Sequence, residues 1–240
     1  MDNTAVVGVA QTSYERRKTG FTYYDMVYEV TAGALADAGY TLADIDNVIT
    51  VSNDFWDGRT ISSMAVQEAA GAHDKNVSTV EGDGTFGAFY GAMRAMGGFD
   101  TTLVVAHSKG SEGDSRTITN GMFDPVYHRP LGLDAISSAA LQANAYMSTY
   151  GITEEQCAKV SVKNHGNARH NPYAQLPLDL TVSGVMNSRK IADPLKLMDC
   201  SPISDGAAAI IIAYETAAAK AKTKPAWIRG IAHCAEAYFL

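Results

Sequence analysis

Residues 82–87 read Gly-Asp-Gly-Thr-Phe-Gly, a literal G-x-G-x-x-G set between a β-branched run and an apolar pattern of helical period. Two chemistries fit that spacing. In a dinucleotide-binding turn the glycines let the backbone approach a pyrophosphate, which then rests on the N-terminus of the following helix. In the simpler case, Gly82 and Gly84 relax a tight strand-to-helix turn and Gly87 lets helix and sheet pack closely. The nucleotide reading has two points against it. The motif follows the third expected strand rather than the first, and the next strand ends on Ala106, His107 and Ser108, without the acidic residue that holds a ribose. Either way, a helix N-terminus with unused amides and a positive dipole end faces the open edge of a sheet, a setting that suits an electron-rich group.

Asp83 adds an ionisable group inside that turn, and His107 ends the fourth expected strand, where ligands of open α/β sheets gather. Neither is a metal signature. His165 and His170 are five residues apart, not the three or four that place two ligands on one helix face. Cys157, Cys200 and Cys234 are an odd number without ligand spacing. They read as small core residues rather than a zinc site or a disulfide framework, so no metal is expected.

The elements that must carry these groups alternate. Residues 5–10, 48–51, 77–81, 101–107, 206–214 and 226–232 read as strands; 23–38, 61–70, 85–96 and 215–222 read as helices between them. Gly39, Gly71 and the pair Gly97-Gly98 punctuate the helix ends. Such alternation predicts right-handed βαβ units and an α/β fold on a mostly parallel, five-stranded sheet, with the sixth strand beginning something further. Residues 108–196 break the pattern as a helical insertion, with helices over 134–150 and 153–167, the second opened by a Thr153/Gln156 capping box. The implied domains are 1–107 with 197–225, the insertion 108–196, and 226–240 as the start of another half. Ending on Tyr238, Phe239 and Leu240 would leave apolar surface for something else to bury.

With 46% hydrophobic residues the chain has the makings of an ordinary globular core. A formal charge of −7 leaves no electrostatic footprint for nucleic acid. No apolar run reaches membrane-spanning length and no signal-peptide plan opens the chain, so no membrane partner and a cytoplasmic location are expected.

Four stretches in order, VGVAQ (7–11), YGITEEQCAKVSVK (150–163), NHGNARHNPYAQ (164–175) and DCSPISDGAAA (199–209), resemble the thiolase superfamily. The likeness is greatest to its sterol-carrier-protein-type and archaeal branch. It implies a thiolase-like layered fold with a buried third helix, made of the N-terminal half and loop domain without the C-terminal half. In that family the turn after the third strand presents a cysteine at the helix N-terminus, where the thiolate attacks an acyl-CoA. The matching position here is Gly84, which offers no nucleophile.

A thiolase fold without that cysteine resembles the steroid side-chain aldolases, implying retro-aldol cleavage of a β-hydroxyacyl-CoA. By that resemblance the amides at Gly84 and Thr85 hold an enolate oxygen, while Tyr238, His107 or Asp83 moves protons. The same resemblance implies that Cys200, Ser201 and Pro202 flank the pantetheine of coenzyme A, with Arg169 and Lys163 as secondary candidates. CoA enters as part of the substrate, with no cofactor bound in the chain. The implied partners are a second copy, a zinc-ribbon/OB-fold (DUF35-type) chain, and a source of the missing half. An acyltransferase with a displaced nucleophile and a non-catalytic scaffold subunit remain alternatives.

Overall fold

The computed structural model describes residues 3–58 and 61–235, in two compact units: one from residues up to 112 together with 204–234, the other from 113–203. Strands and helices alternate through the first unit as β1 (Thr4–Gln11), α1 (Tyr23–Ala38), β2 (Asn47–Ser52), α2 (Asp54–Asp57), β3 (Asn76–Glu81), α3 (Gly84–Met96) and β4 (Thr101–Lys109). The second unit carries α4 (Ser115–Gly121), α5 (Ala135–Tyr150), α6 (Glu154–Ala168), α7 (Val182–Met186) and a small hairpin, β5 (Lys190–Ala192) with β6 (Leu195–Lys196). The chain returns to the first unit with β7 (Asp205–Tyr214), α8 (Glu215–Ala218) and β8 (Ala226–Trp227).

The α/β class holds, but the sheet is mixed and six-stranded, in the order β3-β2-β4-β7-β1-β8. β2 pairs parallel with β3 and β4, whereas β7 is antiparallel to both β4 and β1, and β8 is antiparallel to β1. The reversal of β7 has a simple cause. The chain leaves the sheet at Lys109 and re-enters at Asp205, which is its register partner; a strand that re-enters beside its exit point runs back along its neighbour, as in a hairpin with a very long loop.

Both faces of the central strands are covered, so β2 is buried at all six positions, polar Asn47, Thr50 and Ser52 included, rather than at alternate ones. α1 closes one face through Met26, Val27, Val30 and Ala34, started by a Thr22/Asp25 capping box and stopped at Gly39 with φ 72°. On the other face α3 packs over Ile49, Val51, Val104 and Ile212 through Ala92 and Ala95.

The helix expected over 61–70 is instead a 3-10 turn, Ser62–Val66. Its serines are held from outside: Ser62 Oγ bonds Ser52 Oγ (2.6 Å) and Asp54 (2.9 Å), and Ser63 Oγ bonds Thr79 (3.0 Å), which competes with regular helix. Asp54 also accepts the Ile61 amide at 2.7 Å, with Ile61 at φ 55°, an unusual place for a β-branched residue. The strand expected over 226–232 is cut to Ala226–Trp227. β1 bulges after Val6, and the Val9 amide donates to the Asp37 carboxylate at 2.9 Å.

In the second unit the Thr153/Gln156 capping box opens α6 as its sequence implies. Asp134 does the same for α5, accepting the Ser137 amide at 2.8 Å and Arg116 Nε at 2.7 Å. These bonds outweigh the burial that favours the neutral acid and hold the Asp134 carboxyl below the usual aspartate range. No described helix is long and apolar enough to cross a membrane.

Candidate active site

The glycine-rich turn divides into three separate roles. Gly82 has φ 139°, a conformation side chains rarely adopt, and its amide donates to Ser52 O at 3.0 Å, fastening the end of β3 to β2. At Gly87 an added Cβ would lie 2.4 Å from Val51 Cγ2 and 3.0 Å from Val104 Cγ1; at Gly91 it would lie 2.7 Å from Val104 Cγ2. These two positions let α3 press on the sheet. Gly84 is different. A Cβ there would meet only Ala106 Cβ at 3.6 Å, an ordinary contact, and its φ needs no glycine. The backbone thus offers Gly84 as a site where a side chain fits and none is present.

Asp83 is the N-cap of α3, with Oδ1 accepting the amides of Thr85 at 2.8 Å and Phe86 at 3.2 Å. The Thr85 amide, expected to face an enolate oxygen, is therefore engaged by Asp83. That leaves the Gly84 amide as the first-turn donor the cap does not use. Two opposite substitutions check this geometry. Asp83→Ala should lower stability by about 0.5–2 kcal/mol, the cost of a lost N-cap, whereas Gly84→Ala should raise it by about 0.5–1 kcal/mol because helical alanine is favoured where space exists. Chemical denaturation of both variants reads the difference.

His107 lies apart from this turn. Successive strand residues face opposite sides: Ala106 packs with the α3-side cluster, while His107 is buried and stacks on Tyr23, at the start of α1, with ring centroids 5.8 Å apart. Tyr238 falls outside the described residues.

Two groups near the sheet edge escaped the sequence reading. Asp205 is fully buried and accepts the Lys18 amide (2.9 Å), the Ser111 amide (3.0 Å) and Ser111 Oγ (2.7 Å). It clasps the loop after β1 to the exit of β4. Next to it, a Cβ on Gly206 would strike the Tyr14 ring at 2.5 Å, and burial pushes the Tyr14 phenol up. The Asp-Gly pair heading 205–209 was the available signal. His233 meets the ring of Phe86, in the first turn of α3, edge-on at 5.0 Å between centroids. No spacing rule marks it.

The remaining candidates lie on the second unit. Cys200 donates its amide to Leu197 O at 3.3 Å and its thiol to Lys196 O at 3.4 Å. Burial, and then the nearby Asp199, push that thiol up, so it stays protonated and poorly nucleophilic near neutrality. Ser201 and Pro202 are exposed. Arg169 follows α6 and pairs with Asp179 at 3.3 Å, both exposed, a bond of little energetic weight; Lys163 is exposed on α6. Among the described residues no three His, Cys, Asp or Glu side chains converge as a metal site would require.

No family model matches the chain. It is 34% identical over 240 residues to an acetyl-CoA acetyltransferase of Methanothermobacter thermautotrophicus, covering 97% of this chain and 62% of that protein. It is 29% identical over 244 residues to the 17-hydroxy-3-oxo-4-pregnene-20-carboxyl-CoA lyase of Mycobacterium tuberculosis, covering 95% and 62%. Among solved structures, the Ltp2-ChsH2(DUF35) aldolase superposes with a TM-score of 0.79 at 26% identity, over 95% of this chain and 60% of that one. The chain therefore spans 62% of the length of each of these two relatives.

Proposed function

The chain belongs to the thiolase superfamily, and from that premise we propose that it forms part of a lyase that cleaves a β-hydroxyacyl-CoA by a retro-aldol step, without an acyl-enzyme. The observation that carries this reading is Gly84: a helix N-terminus with room for a nucleophile's Cβ and no nucleophile on it. Burial pushes the Cys200 thiol up and it donates to Lys196 O at 3.4 Å, Cys157 lies within α6, and Cys234 is exposed. Similarity to a CoA lyase and to an aldolase supports the same choice.

The chemistry asks for little. A base removes the β-hydroxyl proton; the C–C bond breaks, its electrons passing to the thioester as an enolate; a carbonyl compound leaves, and the enolate takes a proton at its α-carbon. The Gly84 amide, backed by the positive end of the α3 dipole, suits the enolate oxygen. Tyr238 is the proposed proton carrier. His107 is set aside because it lies on the opposite face of the sheet, and Asp83 is retained only as the cap. Residues 200–202 take the pantetheine strip of CoA, with Arg169 and Lys163 near its charged end. The proposed enzyme pairs with a second copy, as the thiolase resemblance implies, and takes a DUF35-type partner on the example of the Ltp2-ChsH2(DUF35) aldolase.

Offered a panel of β-hydroxyacyl-CoAs, the complete assembly should release an aldehyde or ketone without free CoA as co-substrate. Tyr238→Phe should reduce that turnover by about 10²-fold or more, the usual weight of a proton-transfer group, while leaving CoA affinity in place. Absence of carbonyl release across the panel removes the reading. The 34% identity to an acetyltransferase favours a second one: Gly84→Cys, whose Cβ would meet only Ala106 Cβ at 3.6 Å, would then confer thiolysis by free CoA.

A further inference from the structure

Lys196 has no part in the chemistry above, yet its side chain is only 2% exposed. Its ammonium lies 3.0 Å from Glu154 Oε2, in the first turn of α6, and 2.9 Å from Asp199 Oδ2, and donates to Pro194 O at 3.2 Å. Asp199 Oδ2 also accepts the amide of Lys196 itself, at 2.9 Å. One buried charge thus fastens three pieces of chain: the start of α6, the bend between β5 and β6, and the 3-10 turn Leu197–Asp199. The next residue is Cys200, whose amide and thiol both bond back into that turn, at Leu197 O and Lys196 O. Ser201 and Pro202 then emerge to solvent.

We infer that Lys196 is a positioning residue: through Glu154 and Asp199 it fixes residues 200–202 against α6 and so presets the surface assigned to pantetheine, without touching substrate. This rests on the reading of residues 200–202 as the CoA-facing turn. A device serving stability alone has a different appearance. Apolar packing of similar volume commonly does as well as a buried ion cluster, and the best-attested use of such clusters is to select one register. Here two carboxylates face one ammonium, and Asp199 Oδ1 is buried without a hydrogen-bond partner among the described residues. Those are poor terms for stability and strict terms for geometry. The cluster joins groups 42 residues apart, Lys196 and Glu154, so its rupture frees the turn from the helix.

Glu154→Gln takes the charge out of the tie to α6 and leaves the Lys196–Asp199 pair, and Lys196→Arg keeps the charge. In the assembled protein, maleimide labelling followed by peptide mass spectrometry reads Cys200 separately from Cys157 and Cys234, and calorimetry reads CoA affinity. Glu154→Gln should speed Cys200 labelling and raise the CoA dissociation constant, each at least tenfold, with the thermal midpoint little changed; Lys196→Arg should stay within a few-fold of wild type. Unchanged labelling and affinity in a folded Glu154→Gln variant overturn the assignment. Faster labelling in a protein whose wild-type form neither binds CoA nor has Cys200 shielded by it upholds the positioning role and overturns the functional reading of the turn instead.

Discussion

Lys196→Met should destabilise the second unit by about 3 kcal/mol, the lower end of the cost of leaving buried charge uncompensated. The lower end applies because Glu154 is 32% exposed and water can solvate part of what is lost, whereas Asp199, at 8%, cannot be relieved in the same way. The same cluster sets a pH dependence. Burial alone would push the Lys196 ammonium down, but the bonds to Asp199 and Glu154 outweigh it and hold the group above the ordinary lysine value of 10.5. A pKa raised on folding gives stability that is complete below the unfolded value and is lost as pH rises through the folded one. Stability from this cluster should therefore be level through neutrality and fall only above pH 10.5. Lys196→Met should flatten that alkaline limb, and urea titrations of wild type and variant between neutral and alkaline pH check both statements.

Gly87→Val should be the most damaging change on α3. The first added carbon would already lie 2.4 Å from Val51 Cγ2 and 3.0 Å from Val104 Cγ1, and both neighbours are stiff β-branched side chains in the sheet interior. Overpacking of this kind costs about 1–3 kcal/mol, and valine adds two further carbons where the first has no room, so a loss of about 3 kcal/mol or more is expected. Replacing glycine in a helix recovers at most about 1 kcal/mol of that. Gly84→Ala, three residues earlier in the same helix, is the internal control, since it has clearance and should gain stability. Denaturant midpoints for the pair separate packing glycines from the vacant one. Equal effects would mean that α3 does not sit on the sheet as described.

The contrast between Gly84 and Gly87 also marks how far the sequence could be read. Local rules carried well. The span 23–38, its terminator Gly39, and the Thr153/Gln156 box each depend on residues within four of one another. The Asp83 cap is equally local and was legible in principle, but an acidic residue inside a glycine-rich turn invites a chemical role before a structural one. What could not be read was long-range. The reversal of β7 follows from where a chain re-enters a sheet 96 residues after leaving it, at Asp205 beside Lys109. The donors to Asp205 come from positions 187 and 94 residues away. For His107, parity separates its face from that of Ala106, yet which face meets α1 is fixed only by the topology. The turn around Gly84 was legible as a strand-to-helix turn, and the long-range partners of Asp205 and His107 were not.

The most direct test is a single turnover of the assembled enzyme on a β-hydroxyacyl-CoA in D2O, followed by mass analysis of both products and of the intact protein. C–C cleavage through an enolate predicts carbonyl product and acyl-CoA in equal amounts, one solvent deuterium on the α-carbon of the acyl-CoA, and no mass added to the chain. An acyl adduct on the protein, or product formation that requires free CoA, would contradict it.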